Sequence, residues 1–232
     1  MTSDSRITRA RVPSGVFAAL AVGLVAAAGW GIGPLTAHGA GGDVPRTGAC
    51  TTTISGPHTG TLDLAAPGTT TCLKNANQNG AITVSSGAAL SVIDSTVTGA
   101  ITSTSSAPFT MCNSKTIRGA ISVASSKGFV LIGDGGDGAL PCPGNGIDGA
   151  VTLNQNTGGV ELGGNTTAAV TISGNLAPTQ GTPMEDAATE IEGNHIGGKL
   201  TCSGNTPAPT NDGHPNTVPN AREGQTCANG TF

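Results

Sequence analysis

Apolar residues alternate with small polar ones in short bursts along most of this chain, and the bursts recur. The phrase Gly80-Ala81-Ile82-Thr83 returns as Gly99-Ala100-Ile101-Thr102, Gly119-Ala120-Ile121-Ser122, Gly149-Ala150-Val151-Thr152, Ala168-Ala169-Val170-Thr171 and Gly198-Lys199-Leu200-Thr201. Successive starts lie 19, 20, 30, 19 and 30 residues apart. A second alternation falls between these phrases, in Leu90-Ser91-Val92, Phe109-Thr110-Met111, Phe129-Val130-Leu131, Val160-Glu161-Leu162 and Thr189-Glu190-Ile191. A third is marked by Val97, Ile117, Ile147 and Ile196, each two residues ahead of its glycine except where the register shifts near Thr166. Apolar residues at period two, broken by Gly, Asn, Asp and Ser, predict strands separated by turns and leave no room for helices.

A repeat of about 20 residues built from three such strands belongs to a solenoid. One set of three strands cannot bury its own inward side chains, whereas sets stacked at about 4.8 Å share one aliphatic column and pair their amides with the set above or below. The expected fold is therefore all-β, a single-domain parallel β-helix of about six coils of ~20 residues over 61–205. A linker or cap is expected at 41–60 and a Pro/Asn/Gly-rich cap at 206–232. The two 30-residue intervals carry turn-rich insertions, "GDGGDGALPCPGNG" before Ile147 and "APTQGTPMEDAA" before Thr189. Within the latter, Thr182, Pro183 and Glu185 have the order of a helix N-terminus and predict at most a turn or two. Glycines in Gly164-Asn165, Gly174-Asn175, Gly193-Asn194 and Gly204-Asn205 suit the left-handed conformation of tight corners.

Composition adds compartment to this picture. Arg6, Arg9 and Arg11 precede an uncharged apolar run from Val16, followed by helix-breaking Gly29, Gly31, Gly33 and Pro34 and by small residues around Ala37. That order describes a secretory signal peptide over 1–40; a retained anchor is the competing reading, because the stretch from Val16 to Leu35 carries no charge. Without residues 1–40 the chain keeps 10 − 3 = 7 basic and 14 − 1 = 13 acidic side chains, a net charge near −6 that excludes an electrostatic footprint for nucleic acid. All six cysteines, Cys50, Cys72, Cys112, Cys142, Cys202 and Cys227, follow the signal segment and form no CxxC pair, which favours disulfides over zinc. Of the fifteen connectivities that six cysteines allow, the simplest joins sequence neighbours.

The coil phrase, together with "IGGKLTCSGNTPAPTNDGHPNTV" and "GQTC" near the end of the chain, resembles a group of actinobacterial secreted proteins predicted to be right-handed parallel β-helices, most of them without an assigned function. The resemblance spans roughly residues 60 to 228. It implies an exported right-handed β-helix and carries no catalytic residue across.

Candidate chemistry is sparse. Glu161 and Glu190 share the outward position of the second strand in consecutive coils, with Glu192 two residues on. Stacked carboxyls about 5 Å apart would suit a retaining glycosidase, while two exposed glutamates on a solvated face are the bland alternative. One Trp and no Tyr in the whole chain leave few platforms for sugar rings. Asp134, Asp137 and Asp148, in and after "GDGGDG", suggest a calcium loop that lacks the repeat such loops require, so aspartates capping their own turns are the simpler expectation. His58, His195 and His214 fall in turns, and no nucleophile elbow, phosphate-cradling loop or cofactor motif is present. The most ordered outward feature is a hydroxyl column, Thr83, Thr102, Ser122, Thr152, Thr171 and Thr201, flanked by Ala81, Ala100, Ala120, Ala150, Ala169 and Lys199. Threonine is a good strand former, and on a flat face such a column also suits ice binding.

These features predict a secreted or surface-exposed structural and adhesion module without enzymatic activity or cofactor, whose partner would be a cell-envelope or extracellular polysaccharide. The alternatives are a carbohydrate-binding or carbohydrate-cleaving β-helix using Glu161 and Glu190, and an ice-binding threonine face. Membrane contact is expected only through the N-terminal segment, if it is retained.

Overall fold

In a computed structural model of the chain, the described residues are 49–85, 87–116, 118–135, 142–177 and 189–232, all within the unit 42–232. The signal segment, Ile117, Asp137 and the predicted helical turn around residues 182–185 lie outside them.

Strands follow the chain in a recurring order. β1 (Thr52–Thr59) and β2 (Leu62–Leu64) are succeeded by β3 (Thr70–Asn79) and β4 (Ile82–Ser85), then by β5 (Ala89–Ile93), β6 (Thr96–Val97) and β7 (Ile101–Thr104). The order repeats in β8 (Phe109–Cys112), β9 (Lys115–Thr116) and β10 (Ile121–Ala124), in β11 (Val130–Ile132) with β12 (Gly146–Asn154), and in β13 (Val160–Gly163) with β14 (Thr166–Ser173). It ends with β15 (Thr189–Glu192), β16 (His195–Ile196), β17 (Leu200–Ser203) and β18 (Arg222–Glu223). Every pairing between these strands is parallel and joins a strand to its counterpart one repeat away. The described chain is thus all-β, without an α-helix, in one large parallel sheet compatible with a β-helix. Parallel pairing begins at Thr52 and reaches Glu223, so it extends on both sides of the expected 61–205.

The counterparts form three stacks. The first contains β2, β4, β7, β10, the ends of β12 and β14, β17 and β18. A second runs from the start of β1 through the start of β3, β5, β8, β11 and β13 to β15. The third joins the ends of β1 and β3 to β6, β9, the starts of β12 and β14, and β16. Inward residues superpose: Ile82, Ile101, Ile121, Val151, Val170 and Leu200 form one column of paired positions and are all buried. Each such side chain contributes about 1.5 to 3 kcal/mol of burial, which no single repeat obtains alone.

The repeated glycine has a steric cause. A Cβ on Gly119 would lie 2.1 Å from the Gly99 carbonyl oxygen, and one on Gly149 would lie 2.5 Å from the Gly119 oxygen, so backbones touch at this corner.

Two details of the alternation need correction. Val130 pairs with Phe109 and Val160, and Ile132 with Met111 and Leu162, so Leu131 faces outward and the expected triplet Phe129-Val130-Leu131 is displaced by one residue. Phe109 stands four residues after the left-handed Ser105, whereas Val130 stands five after the left-handed Ser125; the longer corner delays the strand and exchanges its faces. In the third stack, Thr116 rather than Ile117 stands between Val97 and Ile147. Its buried hydroxyl donates to the Gly119 carbonyl at 3.0 Å, which makes a threonine tolerable there.

Corners before the third and second stacks hold two polar ladders. Asn165 Nδ2 donates to the Ile132 carbonyl (2.7 Å) and to Asn194 Oδ1 (2.9 Å), while its Oδ1 accepts the Asn145 backbone N–H and Nδ2 (2.9 Å each). All four hydrogen-bonding positions of that carboxamide are used. Asn145, Asn165, Asn194 and Asn216 form one ladder, and Asn156, Asn175 and Asn205 with Gln225 the other. Toward the N-terminus the same sites hold serine: Ser95 Oγ accepts the Ala76 N–H (3.0 Å) and donates to the Ile93 carbonyl (2.7 Å). The expected Gly-Asn corners divide the work, with Gly164, Gly174, Gly193 and Gly204 at positive φ and each asparagine turned inward.

Disulfides join Cys50 to Cys72, Cys112 to Cys142 and Cys202 to Cys227, the pairing of sequence neighbours.

Candidate functional site

The outer sides of the first and second stacks hold the predicted site residues. On the first, the hydroxyl column is continuous in register: Asp63, Thr83, Thr102, Ser122, Thr152, Thr171, Thr201 and Glu223 follow one another on adjacent strands. Thr83, Thr102 and Thr171 are exposed, and Ser122, Thr152 and Thr201 are half-buried. A parallel column, Ser85, Thr104, Ala124, Asn154, Ser173 and Ser203, was not anticipated from sequence, although it stands two residues further along every phrase. Ser173 Oγ donates to Asn154 Oδ1 at 3.0 Å within it. Charge is confined to the ends of this face, at Asp63 and at the Lys199–Glu223 pair, whose Nζ and Oε2 are 2.5 Å apart. Both partners of that pair are about half exposed, so it contributes little to stability.

The second stack presents Cys72, Ser91, Thr110, Leu131, Glu161 and Glu190 in one outward column. Glu161 and Glu190 are direct neighbours in register, as the spacing predicts. Their environment differs from a solvated face: Glu161, Glu190 and Glu192 are 9%, 5% and 1% exposed. A second apolar layer lies outside the stack. Ile93, Cys112, Phe129, Leu131 and Cys142 cluster there, separate from the central column. The chain leaving β11 passes the ends of β13 and β15: the Gly135 N–H donates to Glu192 Oε1 at 2.7 Å, and a Cβ on Gly163 would lie 2.1 Å from the Gly135 nitrogen. The Thr110 hydroxyl is buried beneath this layer with no hydrogen-bond partner among the described residues. A carboxylate pair that cleaves a glycoside has to face a cleft that a sugar can enter, and burial of all three glutamates weighs against that use.

The remaining candidates are dispersed. Asp148 Oδ2 accepts the Arg118 backbone N–H at 3.1 Å, and the Asp134 backbone N–H donates to the Cys142 carbonyl at 2.7 Å. Among the described residues no three His, Cys, Asp or Glu side chains come together as metal ligands. His58 lies in β1 with its Nδ1 2.7 Å from Gln78 Oε1, His195 lies in β16, and the His214 N–H closes a turn onto the Asn211 carbonyl at 2.7 Å. An open pocket of about 200 Å³ in the C-terminal tail, lined by Thr210, Asn211, Thr226, Asn229 and Phe232 among others, contains none of the predicted site residues. Among the described residues no helix is long and apolar enough to cross a membrane.

No family model, no curated protein and no solved structure matches the chain.

Proposed function

We propose that the chain is an exported, right-handed parallel β-helix acting outside the cell or on its surface as a non-enzymatic structural or adhesion module, with the outer side of the first stack as its contact surface. On this reading windings begin at β1, β3, β5, β8, β11, β13 and β15, and the parallel pairing of 52–64 supports counting that stretch among them. Three disulfides suit an oxidising extracellular environment.

The observation that carries the reading is the first stack's outer side. From Ala81 to Ser173 its rows carry only small, uncharged outward residues held in register. A surface of methyls, hydroxyls and the Asn154 carboxamide, held in register, offers regularly spaced weak donors and acceptors to an extended, repeating partner, and a cell-envelope or extracellular polysaccharide has that chemistry. The net charge near −6 without residues 1–40 disfavours nucleic acid. Neither a cofactor nor a metal enters this reading.

The test is co-sedimentation of the secreted protein with purified envelope polysaccharide. Thr102→Lys and Thr152→Lys should abolish binding, and Glu190→Gln should leave it intact. Turnover of the polysaccharide that Glu190→Gln abolishes would replace this reading with the carbohydrate-active one. Thermal hysteresis lost in the two lysine variants would replace it with ice binding.

A further inference from the structure

We infer that the N-terminal end of the stack is a self-association surface that joins two copies of this chain through β1. The two ends of the molecule are finished differently. At the C-terminal end the tail receives the amides of the last strands: the Ile191 N–H donates to the Thr210 carbonyl, Ile196 to Thr217 and Leu200 to Ala221, each at 2.9 Å. Val218, Cys227 and Phe232 are buried against the core there, and Gln225 Oε1 accepts from Asn205 Nδ2 at 2.7 Å. At the N-terminal end β1 pairs only with β3 and β2 only with β4 among the described strands. Thr52, Thr53, Ser55, Pro57 and Thr59 are exposed along this edge. Ile54, Leu62 and Leu64 are only partly buried, while their neighbours one layer in, Leu73, Ile82 and Val84, are fully buried.

Chain length decides what covers this end. Each further layer needs about 20 residues in three strands. On the export reading, on which this inference rests, removal of 1–40 leaves 48 − 40 = 8 residues ahead of the described chain. They include Gly41, Gly42, Pro45 and Gly48, and Val44 is their one aliphatic residue. Eight residues fall short of another three-strand layer, and a cover from outside the chain is what we infer. A second copy fits best. β1 contains no charged residue to repel another β1. The tail already occupies the opposite edge, so a head-to-tail fibre finds no acceptor, and the remaining arrangement is a two-fold pairing of β1 with the partner's β1, antiparallel by symmetry and closed at two copies. Pro57 has no N–H to donate, which centres the joint on Thr53 and Ile54.

Light scattering on the secreted protein, over a wide concentration range, tests this. The expected result is a dimer whose Kd rises at least tenfold with Thr53→Lys, which sets like charges across the two-fold axis, and with Leu64→Lys, which puts a charge on the apolar end. Thr102→Lys should leave the dimer unchanged. Should Leu64→Lys fail to fold by circular dichroism, Thr53→Lys at an exposed position carries the test. A monomer at every concentration, a dimer dissolved by Thr102→Lys, or an open polymer would each overturn the inference. Intact mass of the same sample reports whether residues 1–40 are gone; their retention defeats the export reading, while the dimer is still judged by its response to Thr53→Lys.

Discussion

The first and second stacks share strand spacing and a buried aliphatic interior, yet their outer sides have opposite fates. The first is bare and carries Ala, Ser and Thr, side chains that cost little in water; the second carries Leu131, Ile93 and a disulfide, which gain by being covered. In chain order both long intervals adjoin strands of the second stack, one after β11 and the other before β15. The inward residues of the two stacks are alike, and the stacks differ in the chemistry of their outward residues and in how far those are covered.

Substitutions can break this comparison in order of expected effect. Leu131→Lys would bury a charge within the outer apolar cluster and should lower unfolding free energy in urea by about 3 to 5 kcal/mol. The paired change Cys112→Ser with Cys142→Ser opens a link of sequence separation 30 over the same side, and about 3 kcal/mol should be lost in the same measurement. Asn165→Ala removes four hydrogen bonds from a ladder; a loss of about 2 kcal/mol is expected, against about 1 kcal/mol for Ser95→Ala, where two are removed. Thr102→Lys, on the bare side, should change stability by less than about 0.5 kcal/mol while abolishing partner binding. Equal costs for Leu131→Lys and Thr102→Lys would show that the two sides are not distinguished by cover at all.

The ladders sharpen a second contrast, between the two halves of the stack. Serine at Ser95 and Ser114 meets one amide and one or two carbonyls, whereas asparagine links each repeat to both neighbours through its own carboxamide. The C-terminal half, which also accommodates both insertions, is the half with the fully linked ladders. Their signal was present in the chain: Asn156, Asn175 and Asn205 are spaced 19 and 30 residues apart, the same intervals as the glycine phrase. The sequence alone does not separate a ladder from corner chemistry, because an asparagine beside a glycine, as in Gly174-Asn175 and Gly204-Asn205, suits an exposed turn as well as a buried ladder.

Local alternation was enough to establish the strands, the 19- to 30-residue intervals, the register of Glu161 with Glu190, and the threonine column, because a period-two pattern constrains each strand by itself. Only the tertiary structure decided that Leu131 faces outward, that Thr116 replaces Ile117 in its column, and that the three glutamates are buried. Those outcomes depend on the length of a corner and on where a returning segment comes to rest. Neither is encoded in the residues whose environment it sets.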